Sequence, residues 1–244
     1  MLVSAAAIYG VGASPAFDYV RMDVNELRFT DAAAVEATLA DARGENLFRL
    51  PTGPLVAELE TLPTVDDARV DIRLPGTLAV TIEEREPVLI WQVGDERFLA
   101  DGEGALFAPV GEASPEAADL PVVDDRRKAA TVLAVGSRLD PVDLDAATRL
   151  ASLAPGDVGS SAVALDVAVT DEHGFVVATR PTGWSAVFGF YTPSLRTTEL
   201  IPGQVRLLRS LLTGREPHVE RVILASETDG TYVPRATPKP SKAQ

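Results

Sequence analysis

Only two histidines, His173 and His218, and no cysteine occur in the 244 residues. Thiolate catalysis, disulfides and cysteine-based zinc sites are therefore excluded within this chain. His173 stands in Asp171-Glu172-His173-Gly174. The run could be drawn as a metal cluster, but Asp, His and Gly also suit the tip of a solvated hairpin, and that is the expectation. His218 is alone before an apolar run, and no His-x-x-x-His spacing supplies a zinc set. There is no Gly-x-Ser-x-Gly nucleophile elbow; the nearest approach, Gly12-Ala13-Ser14-Pro15-Ala16, lies in an uncharged leader. Phosphate loops of the Walker type and Gly-x-Gly-x-x-Gly after a strand are also missing. Carboxylates gather at Asp66-Asp67, Glu83-Glu84, Glu86 and Asp124-Asp125. Paired acids can move protons, but neighbours along a strand point to opposite faces, so surface charge is expected. Trp91 and Trp184 are read as packing residues. No catalytic residue, metal or cofactor is expected, and the chain is read as not an enzyme.

The bulk composition narrows the remaining classes. A net charge of −14 argues against nucleic-acid binding, which needs clustered Lys and Arg. With 46% hydrophobic residues the chain can build a substantial core. Leu2 to Phe17 carries no charge, and the first charged side chain is Asp18. A membrane-spanning helix needs about 20 apolar residues, so residues 1–17 read as the outer remnant of such a helix. The other reading is a loose apolar leader or a first element packed on the domain. At the other end, residues 234–244 include Ala-Thr-Pro-Lys-Pro-Ser-Lys-Ala-Gln, too polar to bury much surface, and a disordered tail is expected.

Between these ends lie two patterned units. In residues 18–86, Val20, Met22 and Val24 alternate as a half-buried strand. Thr30 or Asp31 can cap a helix with Val35, Leu39 and Ala42 on its stripe, stopped near Gly44. Thr52-Gly53-Pro54 opens a second helix carrying Leu55, Leu59 and Leu62. Ala68, Val70, Ile72 and Leu74 alternate, Pro75-Gly76 turns the chain, and Leu78, Val80 and Ile82 return. The expected order is βααββ, with both helices on one face of a three-stranded sheet. Residues 87–233 read as a larger, mostly β domain with two helices, over Pro141–Leu153 and Gly203–Leu212. Strands are expected at Val88–Val93, around Phe98, at Ala130–Val135, from Val163 to Val169, Phe175–Thr179, Ser185–Phe190 and Val219–Leu224, with Tyr232-Val233 returning alongside. The fold class is α+β.

Several fragments carry a resemblance. They are Gly44-Glu45-Asn46-Leu47-Phe48, then Leu62-Pro63-Thr64-Val65, Leu74-Pro75-Gly76-Thr77-Leu78 and Glu84-Arg85-Glu86-Pro87-Val88. Downstream come Trp91 and Leu99-Ala100-Asp101-Gly102-Glu103-Gly104-Ala105-Leu106-Phe107. In this order and spacing the chain resembles the FtsQ/DivIB family, with residues 18–86 similar to its POTRA domain and the remainder to its distal β domain. The resemblance implies a single-pass cell-membrane protein of the bacterial divisome. Its folded domains would lie on the extracytoplasmic side and link early to late division proteins during septum formation. The implied partners are FtsB/DivIC- and FtsL-like proteins, bound by strand addition near the carboxyl end, with no nucleic acid and no small-molecule substrate. The residues expected to meet the partner are Arg221, Val222, Ile223, Leu224 and Tyr232. Periodicity leaves open whether Val222 and Leu224 belong to such an edge or to a core strand. The alternative function is a POTRA-containing export or assembly factor acting as a chaperone-like peptide holder.

Overall fold

The computed structural model describes residues 14–111, 115–181 and 183–236, which form two compact units meeting at Glu86 and Pro87. In the first unit, strand β1 (Arg21–Val24) is followed by helices α1 (Ala32–Thr38) and α2 (Thr52–Leu59), then strands β2 (Val65–Arg73) and β3 (Thr77–Glu84). The Asp31 carboxylate caps α1 by accepting from the Ala33 N–H at 2.9 Å. Val35 faces inward, Leu39 and Ala42 extend its stripe through a 3₁₀ turn, and Gly44 ends the run in the left-handed region. The sheet order is β1-β3-β2, with β1 parallel and β2 antiparallel to β3. Both helices share one core with Val70, Leu78, Val80 and Ile82. Burying each such side chain contributes roughly 1.5–3 kcal/mol. The βααββ expectation and the α+β class hold.

Two expectations in this unit change. The leader's last residues do not continue a long helix. Pro15–Phe17 form one 3₁₀ turn, the Leu47 N–H donates to the Phe17 carbonyl at 2.9 Å, and the Phe17 ring meets Phe48 edge-on at 5.0 Å. Residues 1–13 lie outside the described residues, and among the described ones no helix is long and apolar enough to cross a membrane. Glu84 is not idle surface charge either. Its carboxylate accepts the N–H groups of Arg28, Phe29 and Thr30 at 2.6–2.8 Å, which closes the loop after β1. Burial alone would raise its pKa, yet the hydrogen bonds from Thr30, Arg28 and Phe29 hold it below the ordinary carboxylate value.

The second unit is built on one nine-stranded sheet. Its strands are β4 (Pro87–Val93), β5 (Glu96–Asp101), β6 (Leu106–Pro109), β7 (Val122–Asp125), β8 (Ala164–Thr170), β9 (Gly174–Arg180), β10 (Ser185–Gly189), β11 (Val219–Leu224) and β12 (Gly230–Pro234). The order across the sheet is β12-β11-β10-β9-β8-β7-β4-β5-β6. Parallel neighbours need crossovers. Helix α3 (Pro141–Ala151) carries the chain from β7 to its parallel neighbour β8, and α4 (Ile201–Leu212) from β10 to β11. Both helices bury Leu144, Ala147, Leu150, Leu208 and Leu212 in one core with Trp91, Val123, Val177, Phe188 and Val222. That core covers one face of the sheet.

Here too the sequence reading needs correction. Ala130–Val135 is not a strand: Lys128–Val132 make a 3₁₀ turn, with Val132 exposed. The true strand, β7, lies just upstream and pairs parallel on both sides, with β4 and β8. Asp125 is not surface charge but 1% exposed, held by Arg127. Residues 234 and 235 do not belong to a disordered tail. Pro234 ends β12, and Arg235 donates from its backbone N–H to the His218 carbonyl at 2.7 Å and from Nη2 to Gly183 at 2.8 Å. Residues 237–244 lie outside the described residues.

Candidate docking edge

Of the two readings left open for Val219–Leu224, the structure has the core strand. β11 is paired on both sides, parallel to β10 and antiparallel to β12, and Val222 and Leu224 are buried. Arg221 and Ile223 point to the opposite, uncovered face. The free edge belongs to β12, which ends the sheet and carries Tyr232. The five expected residues are thus brought together on two adjacent strands, but only Tyr232 is on the rim.

The backbone direction along β12 follows from its register. The Ala225 N–H donates to the Asp229 carbonyl at 2.9 Å, which closes the hairpin. Antiparallel pairs alternate between bonded and non-bonded, so the pairs Ile223↔Thr231 and Arg221↔Val233 turn their amides toward each other. The Arg235 N–H, donating to His218, keeps the same phase at the far end. Gly230, Tyr232 and Pro234 therefore aim their backbone groups away from the sheet. Pro234 has no N–H to offer, so the rim provides two donors, at Gly230 and Tyr232. Pro234 marks where strand addition must stop, since proline in sheets is confined to edges. The proline was the one signal in the sequence that could have located the edge.

What holds this hairpin in place was not read from the sequence. Gln204 of α4 is fully buried; its amide donates to the carbonyls of Phe188 at 3.2 Å and Leu224 at 3.1 Å. Its Oε1 accepts the Tyr191 hydroxyl at 2.7 Å. Burial pushes the Tyr191 phenol up, and the nearby Arg196 opposes this only in part. Arg196 clamps the same two carbonyls from outside, at 2.6 and 2.8 Å, and also donates to Ala225. Parallel β10 and β11 end without further partners here, so a guanidinium and an amide satisfy carbonyls that would otherwise be costly to bury. Gln204 sits on the stripe Ile201, Gln204, Leu208, Leu212, and a lone polar residue on an apolar stripe is the signal that identifies it.

At the opposite end of the sheet, Glu216 pins three segments. It accepts from the hydroxyls of Ser160 and Ser161, the Ser161 N–H at 3.0 Å and the Trp184 indole N–H at 3.0 Å. Burial works to raise its pKa, but the donors outweigh it and hold the carboxyl below its ordinary value. A depressed pKa gives stability that is complete above the unfolded-state value of 4.5 and drains as pH falls through the lower folded-state value. Acid titration followed by tryptophan fluorescence is expected to show this step in the wild type and to lose it in Glu216→Gln. At neutral pH, Glu216→Ala should cost about 1.5–3 kcal/mol, because it removes charge-assisted bonds and orphans the indole N–H. His173 sits on the β8–β9 turn as expected, its N–H donating to Thr170 Oγ1 at 3.1 Å. Among the described residues no group of three acids and histidines is placed to hold a metal ion.

Comparison with known proteins completes the picture. Residues 20–85 match the POTRA domain, FtsQ-type. The chain is 25% identical over 232 residues to the cell division protein FtsQ of Chloroflexus aurantiacus, covering 95% of this chain and 75% of that protein. It is 28% identical over 158 residues to FtsQ of Chloroflexus aggregans, covering 65% and 56%. To FtsQ of Mycobacteroides abscessus it is 32% identical over 136 residues, covering 54% and 42%. With an FtsQ-type POTRA unit over residues 20–85 and a larger β domain after it, the chain is similar to cell-division proteins of the FtsQ type, and that similarity runs along 95% of its length.

Proposed function

We propose that this chain is a non-catalytic scaffold of the bacterial divisome, tethered to the cell membrane through its amino-terminal side with both folded units outside the cytoplasm. It links early and late division proteins during septum formation. The edge of β12 takes a strand from an FtsB/DivIC- or FtsL-like partner. The observation carrying this reading is the terminal position of β12, with outward backbone groups at Gly230 and Tyr232. Such a row of unpaired groups is a template for β-augmentation.

The test exploits the phase of the strand. Tyr232→Pro removes an outward donor and sets a ring against any incoming strand, while every ladder bond to β11 survives. Titration of the full chain with the extracytoplasmic part of its FtsB/DivIC-like partner should show affinity reduced at least about 30-fold, roughly 2 kcal/mol. The folded state should melt normally. Thr231→Pro, one residue away, deletes a bond within the hairpin and should lower stability instead. Undiminished binding by Tyr232→Pro removes strand addition from the account.

A further inference from the structure

Among the described residues nothing covers the face of the large sheet opposite its helices between β7 and β11, where it forms a trough of about 920 Å³. Register fixes which residues share this face. One row across the strands runs Ala168↔Val176 and Val187↔Ile223, with Val187 facing Val176, and leads on to Thr231 of β12. This row is apolar and small; Ala168, Val176 and Val187 are half-buried, Ala168 and Val176 line the trough, and among the described residues no element lies over them. The next row is polar, Asp166↔Ala178, Ser185↔Arg221.

The charges on this face differ from those of the rest of the chain. Arg97, Arg126, Arg180 and Arg221 meet Asp124, Asp166 and Glu220. Arg126 pairs with Asp124 at 2.7 Å, and Arg180 pairs with Asp166. Among the described residues Arg97 and Arg221 have no acidic partner, and the Arg97 Nε is buried without an acceptor. A chain of net charge −14 thus presents a face with surplus cations. We propose that this trough is a second docking surface, for an acidic amphipathic helix of a partner protein. Four strands about 4.8 Å apart give a floor about 14 Å wide, which admits one helix of about 10 Å diameter. A stripe of Ala and Val would meet the apolar row, and flanking carboxylates would meet Arg221 and Arg97. The occupant is a protein and not a glycan, because among the described residues no exposed Trp, Tyr or Phe ring lies on the floor to stack on a sugar. The proposal rests on the scaffold reading but not on strand addition.

The test uses the full ¹⁵N-labelled chain and two synthetic 18-residue helices sharing an Ala/Val stripe, one flanked by glutamates and its twin by lysines. The acidic helix is expected to bind saturably, at least about tenfold tighter than its twin, and to shift the amides of Ala168, Val176 and Val187. Val176→Arg should abolish binding, and Arg221→Glu, on an exposed side chain that leaves the fold alone, should reverse the preference between twins. Tyr232→Pro should leave binding of the acidic helix unchanged, which separates this surface from the β12 edge. No saturable binding, equal affinity for the twins, an unaltered preference in Arg221→Glu, or shifts confined to Gly230–Pro234 or to the helical face would each overturn the proposal.

Discussion

Replacing Arg127 by Ala is expected to destabilise the second unit by about 3–5 kcal/mol, among the largest losses available from one side chain. Asp125 lies on the inward side of β7 at 1% exposure. Its carboxylate accepts from the Arg127 Nε at 2.9 Å, Nη2 at 2.7 Å and backbone N–H at 3.1 Å. The remaining Nη1 reaches Asp143 in the first turn of α3 at 2.6 Å. The bond to Asp125 holds the guanidinium more firmly protonated; burial opposes this, and Asp143 reinforces it. Without the guanidinium, Asp125 is a buried charge with nothing to compensate it, and the start of α3 loses its tie to β7. Arg127→Lys should recover only part of the loss, since an ammonium cannot reproduce the planar fork. The double variant Asp125→Val/Arg127→Met should recover most of it, because the cost lies in the orphaned charge and not in a missing net attraction. Urea unfolding read by Trp91 and Trp184, both in this unit, measures each value. A loss below about 1 kcal/mol for Arg127→Ala would show that Asp125 reaches water.

The same pair shows why parts of this fold could be read from sequence and others could not. In β3 the apolar residues Leu78, Val80 and Ile82 repeat at the strand period and all three are buried, so pattern and structure agree there, whereas Val20, Ile72 and Leu74, read on the same pattern beside it, are exposed. β7 is four residues long, and half of it is aspartate. No local pattern distinguishes a carboxylate that ends a buried strand from one on a solvated turn. That identity depends on Arg127, whose position depends in turn on the loop fixed when the Lys128 N–H donates to Asp171 at 3.0 Å. These polar bonds also explain why Ala130–Val135, rich in strand-forming residues, turns instead. Propensity yields to a loop whose start is already tied down on two sides. The docking edge was half legible for a similar reason. Alternation located Val219–Leu224 and the return at Tyr232, but which strand ends a sheet is decided by pairing between distant segments. Gln204 and Arg196, which hold that hairpin, act through backbone carbonyls, and those leave no trace in side-chain patterns.

Gly174→Ala is expected to be the second severe substitution, and its effect should travel to the docking edge. Gly174 opens β9 with φ +65°, a conformation that costs a residue with a Cβ roughly 1–2 kcal/mol. A Cβ there would lie 2.5 Å from the carbonyl carbon and oxygen of Gly189 and 2.7 Å from the Phe190 nitrogen. Both neighbours are backbone, so no side chain can swing aside, and relief must come from displacing the end of β10. Overpacking of this kind adds roughly 1–3 kcal/mol, for a total of about 2–5 kcal/mol. Gly94→Ala isolates the first contribution, because Gly94 has φ +59° and nothing within 4 Å of a new Cβ. The excess of Gly174→Ala over Gly94→Ala measures the clash. The displaced strand end also carries the Phe188 carbonyl, which Arg196 and Gln204 bind together with that of Leu224. Moving one carbonyl of this shared clamp loosens the other, and with it the β11–β12 hairpin. Hydrogen exchange at the inward amides of Thr231 and Val233 should therefore quicken in Gly174→Ala and stay near wild type in Gly94→Ala. Equal protection in the two variants would mean that β10 absorbs the shift and the docking edge is set by β11 alone.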